Sequence, residues 1–285
     1  MPLIWLITGT STGFGAHFIP ALLNRGDKVI ATARDISKIT HFKELGVEVL
    51  QWDVTSSQAE LNENAKKAIE VYGRVDVLVN NAGVTQFGVL EEMREDAYVS
   101  QFRTNVFGPV NTTRAFLPHF RARKSCVIVN IGSMSAWETY PGLGAYSASK
   151  AALRYATEAL SLEVSPFGIK TLLIEPGQFR TSLLSSTKPG NTFHAPSSSI
   201  PEYDAVVQPV FEPFRAVAGK QRGDPVKAVN RIIDVVKGEG EAEGREWPGE
   251  LVLGEDAVGA VRGKCEQTLK QLGEWEGFVT GLDCE

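Results

Sequence analysis

Tyr146-Ser147-Ala148-Ser149-Lys150 carries two side chains that can do chemistry together, and Ser133 lies a short way before them. Ala148, Ala151, Ala152 and Leu153 continue as a helical pattern. A helix puts residues four apart on one face, so the Tyr146 hydroxyl and the Lys150 ammonium can serve one site. A free phenol titrates near ~10, and a fixed cation beside it favours the phenolate. Proton exchange with a carbonyl oxygen then becomes feasible near neutral pH, and Ser133 can offer the same oxygen a second hydrogen bond. On its own a Tyr-x-x-x-Lys pair fits an exposed helix surface better than a catalytic site, so the elements around it must decide.

The chain opens with Leu3 to Ile7, a nearly continuous apolar run of the kind a parallel strand shows when both its faces are covered. Thr8-Gly9-Thr10-Ser11-Thr12-Gly13-Phe14-Gly15 follows, and the pattern turns helical from Ala16 to Arg25. Strand, glycine turn and helix form a phosphate-binding arrangement: glycines admit a pyrophosphate close to the backbone, and the unpaired N–H groups of the helix start stabilise its charge. The spacing G-x-x-x-G-x-G differs by one residue from the common dinucleotide fingerprint. Gly26 ends this helix, and Lys28 to Ala33 makes the second strand. An acidic residue at the end of that strand would bind the ribose hydroxyls and repel a 2′-phosphate. Ala33 holds that place, and Arg34 next to it offers a planar guanidinium that can grip a phosphate and stack on adenine. The expected cofactor is therefore NADP(H), although Asp35 weakens the local positive field.

Val47 to Gln51 is expected as the third strand, with Asp53 and Val54 just beyond it. Asp53 can meet an adenine amino group, cap the helix expected from about Ser56 to Tyr72, or do both. Val75 to Asn80 is the fourth strand, and the small residues of Asn81-Ala82-Gly83 let a ribose or nicotinamide pass close to the backbone. A helix over roughly Glu95 to Phe120 carries Asn105 at mid-length, where its propensity is poor, and Gly108-Pro109 loosens the hydrogen bonding nearby. Something has to compensate. Cys126 to Ile131 is the fifth strand and delivers Ser133 at its C-terminal end, where open α/β sheets bind ligands. Thr171 to Ile174 is the sixth, leading into Glu175-Pro176-Gly177-Gln178-Phe179-Arg180-Thr181.

Thr8-Gly9-x-x-x-Gly13-x-Gly15, Asn80-Asn81-Ala82-Gly83, Asn105, Ser133, Tyr146-x-x-x-Lys150 and Pro176-Gly177 occur in that order. The chain resembles the short-chain dehydrogenase/reductase family over about residues 1 to 182, and within it the NADP-dependent microbial and fungal members near the retinol and 17β-hydroxysteroid dehydrogenases. The resemblance implies that Tyr146 is the general acid in reduction and the base in oxidation. Lys150 would lower its pKa and hold the nicotinamide ribose, Ser133 would orient the carbonyl, and Asn105 would anchor a water that links Lys150 to solvent. It also implies that Gly9, Gly13 and Gly15 face the pyrophosphate, with Thr10, Ser11, Thr12 and Phe14 in the same turn. Ala33 and Arg34 would be cofactor-binding at the adenosine end, with Asp53 and Val54 at the adenine and Asn81, Ala82 and Gly83 in the ribose region. Thr181 would meet the carboxamide or the phosphates, and Pro176, Gly177 and Phe179 would also bind the cofactor. Gly132 departs from the family, which commonly has a serine there.

From Ser182 to Gly223 the prolines at 189, 196, 201, 209 and 213 are expected to interrupt any long helix. A stretch of this length in a compact domain usually serves as a lid or stays disordered, and Phe193, Tyr203, Phe211 and Phe214 favour a lid. Together with Trp137, Tyr140, Leu143, Phe179 and Leu183 these residues suggest an apolar or aromatic substrate; Gln86 and His194 are candidate polar contacts. Asp224-Pro225 should start a helix reaching Lys237. Leu251 to Gly254 gives a last strand, and a final helix begins near Asp256 with a loosely ordered tail after Trp275.

The expectation is one doubly wound α/β domain of the Rossmann type, with about seven parallel strands and helices on both faces. Residues 1–182 would form the core, 183–223 the lid, and 224–285 the last helices and strand. The expected reaction is NADPH-dependent reduction of a ketone or aldehyde. An isomerase or dehydratase that uses the nucleotide transiently, and a nucleotide sensor without turnover, are the alternatives. Nothing in the sequence adds the extra chemistry of the first, and both Tyr146 and Lys150, whose loss would mark the second, are present. A formal net charge of −5 argues against nucleic acid, which needs a clustered cationic excess. Cys126, Cys265 and Cys284 are odd in number and lack metal-ligand spacing, so neither a disulfide framework nor a metal site is indicated. No apolar run reaches a membrane span, and residues 1–7 read as a strand and not as a leader. A cytoplasmic protein is expected, with a homodimer through the helices near 95–120 and 146–164 suggested by the family.

Overall fold

Seven strands, β1 (Ile4–Ile7), β2 (Lys28–Ala33), β3 (Glu48–Gln51), β4 (Val77–Asn80), β5 (Cys126–Ile131), β6 (Ile169–Pro176) and β7 (Glu250–Leu253), build one sheet in the computed structural model. The structure describes residues 1–181 and 200–284. The strands run in the order β3-β2-β1-β4-β5-β6-β7 and every pair is parallel. The strand order reverses between β1 and β4, which opens a crevice beyond their C-terminal ends. Gly9 follows β1 and Asn81 follows β4, so the two glycine-bearing segments meet at that crevice.

Alternating strand residues point to opposite faces. Trp5, Ile7, Val29, Ala31, Val77 and Val79 pack against α1 (Gly13–Leu23) and α7 (Pro225–Lys237). Ile4, Leu6, Ile30, Leu78 and Ile128 pack on the other face, against α2 (Gln58–Tyr72), α4 (Gly108–Arg123) and α5 (Gly144–Val164). With both faces covered, each strand reads as an apolar run.

Local signals hold at several element ends. Asp224 accepts from the Val226 and Lys227 N–H groups at 2.8 and 3.4 Å, and Pro225 opens α7. α2 begins two residues later than expected, because Ser57 and Glu60 form a reciprocal capping box. Asp53 is therefore not its cap; its carboxylate accepts instead from the Thr55 N–H and hydroxyl at 2.9 and 2.7 Å. β6 runs beyond the expected Thr171 to Ile174 at both ends.

Two expectations are corrected. The helix read from Glu95 to Phe120 is three pieces, α3 (Glu95–Phe102), a π-helical turn at Arg103–Phe107, and α4. The π turn contains Asn105, so the unfavourable mid-helix asparagine sits where the regular ladder is broken. In the expected irregular stretch, residues 182–199 lie outside the described residues, but Asp204–Val217 is a helix, α6, containing both Pro209 and Pro213. Each proline removes a helix N–H. Burial offsets this: Val207 and Phe211 are wholly buried against Val89, with Phe87, Tyr203 and Phe214 packed around them. No helix among the described residues is long and apolar enough to cross a membrane.

Candidate active site

At the crevice, close approach dictates the glycine turn. Gly9 has φ +70°, and a Cβ there would stand 2.9 Å from the Ala82 Cα. A Cβ on Gly15 would lie 2.5 Å from the Gly9 carbonyl oxygen and 2.6 Å from Asn81 Nδ2. Gly15 thus seats α1 on the turn and does not line the cleft as expected. Thr10 does not line it either: wholly buried, its hydroxyl donates to the Thr32 carbonyl at 3.1 Å and braces β1 to β2. Asn81 Nδ2 donates to the Thr8 and Gly9 carbonyls at 2.9 and 3.0 Å, tying β4 to the turn. Thr12, at the N-cap position of α1, makes no capping hydrogen bond, and no acidic side chain stands in the first turn. The helix start keeps its N–H groups for an anion.

A cleft of about 980 Å³ runs from this turn in both directions. Gly9, Ser11, Thr12, Gly13 and Phe14 line its middle, with Asn81, Ala82 and Gly83 opposite. Ala33, Arg34, Asp53 and Val54 line one end, where the sequence placed the adenosine half. Arg34 is exposed, and no hydrogen bond or ion pair among the described residues engages its guanidinium; Gln51 Nε2 takes only its backbone carbonyl, at 3.0 Å. Asp35 is held elsewhere, accepting from the Ser37 N–H and hydroxyl and facing Lys38 at 3.7 Å. Those Ser37 hydrogen bonds, with Lys38 assisting, push the Asp35 pKa below its usual value. Lys38 also lines the cleft; in the sequence it looks like any surface lysine.

At the other end α5 brings Tyr146 and Lys150 to the wall, and the end of β5 brings Ser133. Lys150 is 6% exposed, its ammonium donates to the Ile131 carbonyl at 2.8 Å, and it stands 5.8 Å from the Tyr146 ring centre. Burial pulls its pKa down to about 8. Burial also pushes the Tyr146 phenol up, opposed by the hydroxyls of Ser133 and Thr85. The direction is the reverse of that expected from a lysine beside a tyrosine, and it keeps the phenol protonated as an acid. Ser133 Oγ accepts from the Ser135 N–H at 3.1 Å, which fixes its rotamer beside the phenol. Thr85 was not anticipated; its Oγ1 is buried and makes no hydrogen bond of good geometry, although it lies close enough to influence Tyr146.

Asn105 sits below the cleft wall. Its Oδ1 accepts from the Val84 N–H at 2.9 Å, and its Nδ2 donates to the Val84 carbonyl at 2.9 Å and to Ser149 Oγ at 3.0 Å. The π turn thus aims one amide at the segment after β4 and at α5, and holds both around Lys150. This is the compensation the mid-helix asparagine required.

Tyr140, Leu143 and Phe179, expected at the substrate, line the cleft with Tyr146, joined by Phe87, Met134 and Phe214. Tyr140 meets Phe214 of α6 edge-on at 6.1 Å, and burial with Glu138 beside it pushes the Tyr140 hydroxyl up to about 12. Pro176, Gly177 and Thr181 complete the wall. Trp137 is a correction: its indole N–H donates to Glu175 at 2.7 Å and Arg154 stacks over its ring at 4.2 Å, so it braces β6 and does not line the cleft. Gln86 does not line it either, its backbone N–H bound by Gln101. Leu183, Phe193 and His194 lie outside the described residues.

Residues 4–192 match the short chain dehydrogenase family model. The chain is 35% identical over 278 residues to an oxidoreductase of Botryotinia fuckeliana, covering 96% of each protein. It is 41% identical over 181 residues to a 3-ketodihydrosphingosine reductase of Bacteroides thetaiotaomicron, 63% of this chain and 65% of that one. The crystal structure of a short-chain dehydrogenase from Streptomyces avermitilis shares 37% identity and superposes with a TM-score of 0.84, covering 99% of this chain and 98% of that one. A glycine turn at the sheet's switch point, a tyrosine and lysine one helical turn apart, and these likenesses along nearly the whole length agree: the chain belongs to the short-chain dehydrogenase family of oxidoreductases.

Proposed function

We propose that the protein is an NADPH-dependent reductase of ketones or aldehydes on apolar or aromatic small molecules. The observation that carries this reading is the single cleft that holds Tyr146, Ser133 and Lys150 at one end and the unengaged Arg34 guanidinium at the other. The dinucleotide fits the residues present: the uncapped start of α1 suits a pyrophosphate, the Gly9–Ala82 approach leaves no side chain in the way, and Arg34 with Lys38 suits a 2′-phosphate. Bound NADPH would supply the hydride. The protein's own part is proton transfer and positioning. The Tyr146 hydroxyl, kept protonated by its surroundings, gives its proton to the carbonyl oxygen, and Ser133 donates a hydrogen bond to that oxygen. The Lys150 cation stabilises the phenolate left behind, and the same steps run backwards for alcohol oxidation. Phe87, Tyr140, Leu143 and Phe214 favour a substrate with an apolar or ring-bearing body. The ketone named for the Bacteroides relative supports reduction as the working direction.

The reading extends to a homodimer across α4 and α5, supported by exposed Tyr155 and Leu162 on α5, and to a cytoplasmic location, supported by three unpaired cysteines. The test is the rate of NADPH and NADH oxidation against a panel of aliphatic, aromatic and steroidal carbonyls, with Tyr146→Phe as control. Turnover with NADPH that Tyr146→Phe abolishes is expected. A Tyr146→Phe variant working at the parent rate would refute the mechanism, and equal use of NADH would refute the role of Arg34.

A further inference from the structure

The last helix, α8 (Glu255–Val279), leaves the body after its first turns. Ala257 is wholly buried, yet every residue from Arg262 to Val279 is exposed. At about 1.5 Å per residue the exposed part is roughly 27 Å long. Val258, Val261, Cys265, Thr268, Leu272, Trp275 and Val279 follow one another at alternating steps of three and four, with Leu269 and Phe278 exposed on the flanks of that line. That is the seam of a coiled coil, and Leu272 and Trp275 on it are 55% and 54% exposed. Gly259, Gly263, Gly273 and Gly277 all fall away from the seam, with nothing within 4 Å of where a Cβ would stand. Each weakens a helix by ~1 kcal/mol against alanine. A helix so rich in glycine gains its stability from whatever covers the seam.

We propose that α8 is a docking surface for a second copy of this chain, the two helices packing antiparallel about a two-fold axis near Lys270. Charge and size select this occupant and direction. An antiparallel pair sets Cys265 against Trp275 and Thr268 against Leu272, small facing large, and closes the end with Val261 against Val279. It also sets Arg262 beside Glu276 of the second copy, twice by symmetry, and the stem of Lys264 over Phe278 of the second copy. A parallel pair would put Trp275 on itself and leave Arg262 and Glu276 without a charge partner. Five acidic side chains (Glu255, Asp256, Glu266, Glu274, Glu276) outnumber Arg262, Lys264 and Lys270 along the helix, which disfavours an anionic lipid surface. This interface is separate from the α4–α5 face, so it does not depend on the proposed reaction or on the dimer proposed there.

The test is the mass of the full chain by sedimentation equilibrium at micromolar concentration, beside a Leu272→Glu/Trp275→Glu variant. The variant is expected to show half the parent mass with unchanged carbonyl-reducing activity, since neither residue lines the cleft. Arg262→Glu and Glu276→Arg should each weaken association at low salt, and the two together should restore it. Equal masses for parent and Leu272→Glu/Trp275→Glu overturn the proposal. In a Cys284→Ser background, rapid oxidation to a dimer joined through Cys265 overturns the antiparallel arrangement, which keeps those two sulfurs about 15 Å apart along the axis, too far for a disulfide.

Discussion

Replacing Lys150 by methionine should make the protein more stable while destroying its chemistry, and the effect should depend on pH in a defined way. The ammonium is nearly buried, and burial takes its pKa from 10.5 to about 8. That drop corresponds to about 3 kcal/mol of destabilisation wherever the lysine is charged in both the folded and unfolded states. Methionine of similar length removes the charge but leaves the Ile131 carbonyl without the 2.8 Å bond it accepts from Nζ, a loss of about 1 kcal/mol. The net gain at pH 7 is on the order of 2 kcal/mol, or roughly 4 °C in the melting temperature for a chain of this size. Because the folded pKa is depressed, the folded parent binds fewer protons than its unfolded form between pH 8 and 10.5. Parent stability therefore rises with pH across that window, and the advantage of Lys150→Met shrinks from pH 7 to pH 10. Thermal unfolding of both proteins across this range measures it. A variant that melts below the parent at pH 7, with a gap that ignores pH, would refute the claim that a buried cation strains this site.

Three further outcomes are expected. Arg34→Asp should raise the KM for NADPH by roughly 10- to 100-fold, the worth of a charge-assisted contact to phosphate, and lower that for NADH; unchanged preference in initial rates would exclude Arg34 as the anchor. Gly15→Ala should lose both cofactor affinity, read by fluorescence titration, and about 1–3 kcal/mol of stability, because the new methyl meets the Gly9 carbonyl at 2.5 Å. Thr85→Val should hold or raise the melting temperature, since the buried hydroxyl makes no good hydrogen bond. The same change should shift the pH profile of alcohol oxidation upward, because Thr85 lowers the Tyr146 pKa; a lowered melting temperature with an unmoved profile would make Thr85 merely structural.

The sequence was most informative where one local rule met no competitor. β2 and β5 run between the residues that the apolar pattern marked, and α7 starts on the cap that Asp224-Pro225 announced. β6 was underestimated at its C-terminal end because it runs on through Glu175 to Pro176; Glu175 is a carboxylate no apolar pattern would place inside, which Arg154 and Trp137 satisfy across the fold. The same contact hid the true role of Trp137: position near Ser133 was readable, but the direction of its indole was not. In α6, proline chemistry was read correctly and outweighed by the burial of Val207 and Phe211, a tertiary fact. The shared placement of Tyr146 and Lys150 was legible from their spacing, yet the direction of the Tyr146 shift was not, because it is a contest between burial and neighbours that only the cleft decides. Thr85 and Lys38 carried no local signal at all.

The expensive features of the molecule bear on its function through their position. A buried ammonium at Lys150, an unpaired hydroxyl at Thr85, a broken helical ladder at Asn105 and glycine contacts that admit no methyl at Gly9 and Gly15 each weaken a fold judged on stability alone. All of them stand along one cleft or brace its walls, while both faces of the sheet are packed with ordinary aliphatic and aromatic side chains. Local rules broken together in one place, with regular packing elsewhere, mark a site whose geometry is held against its own cost. By that argument Thr85 belongs with Tyr146 and Ser133, although no motif names it.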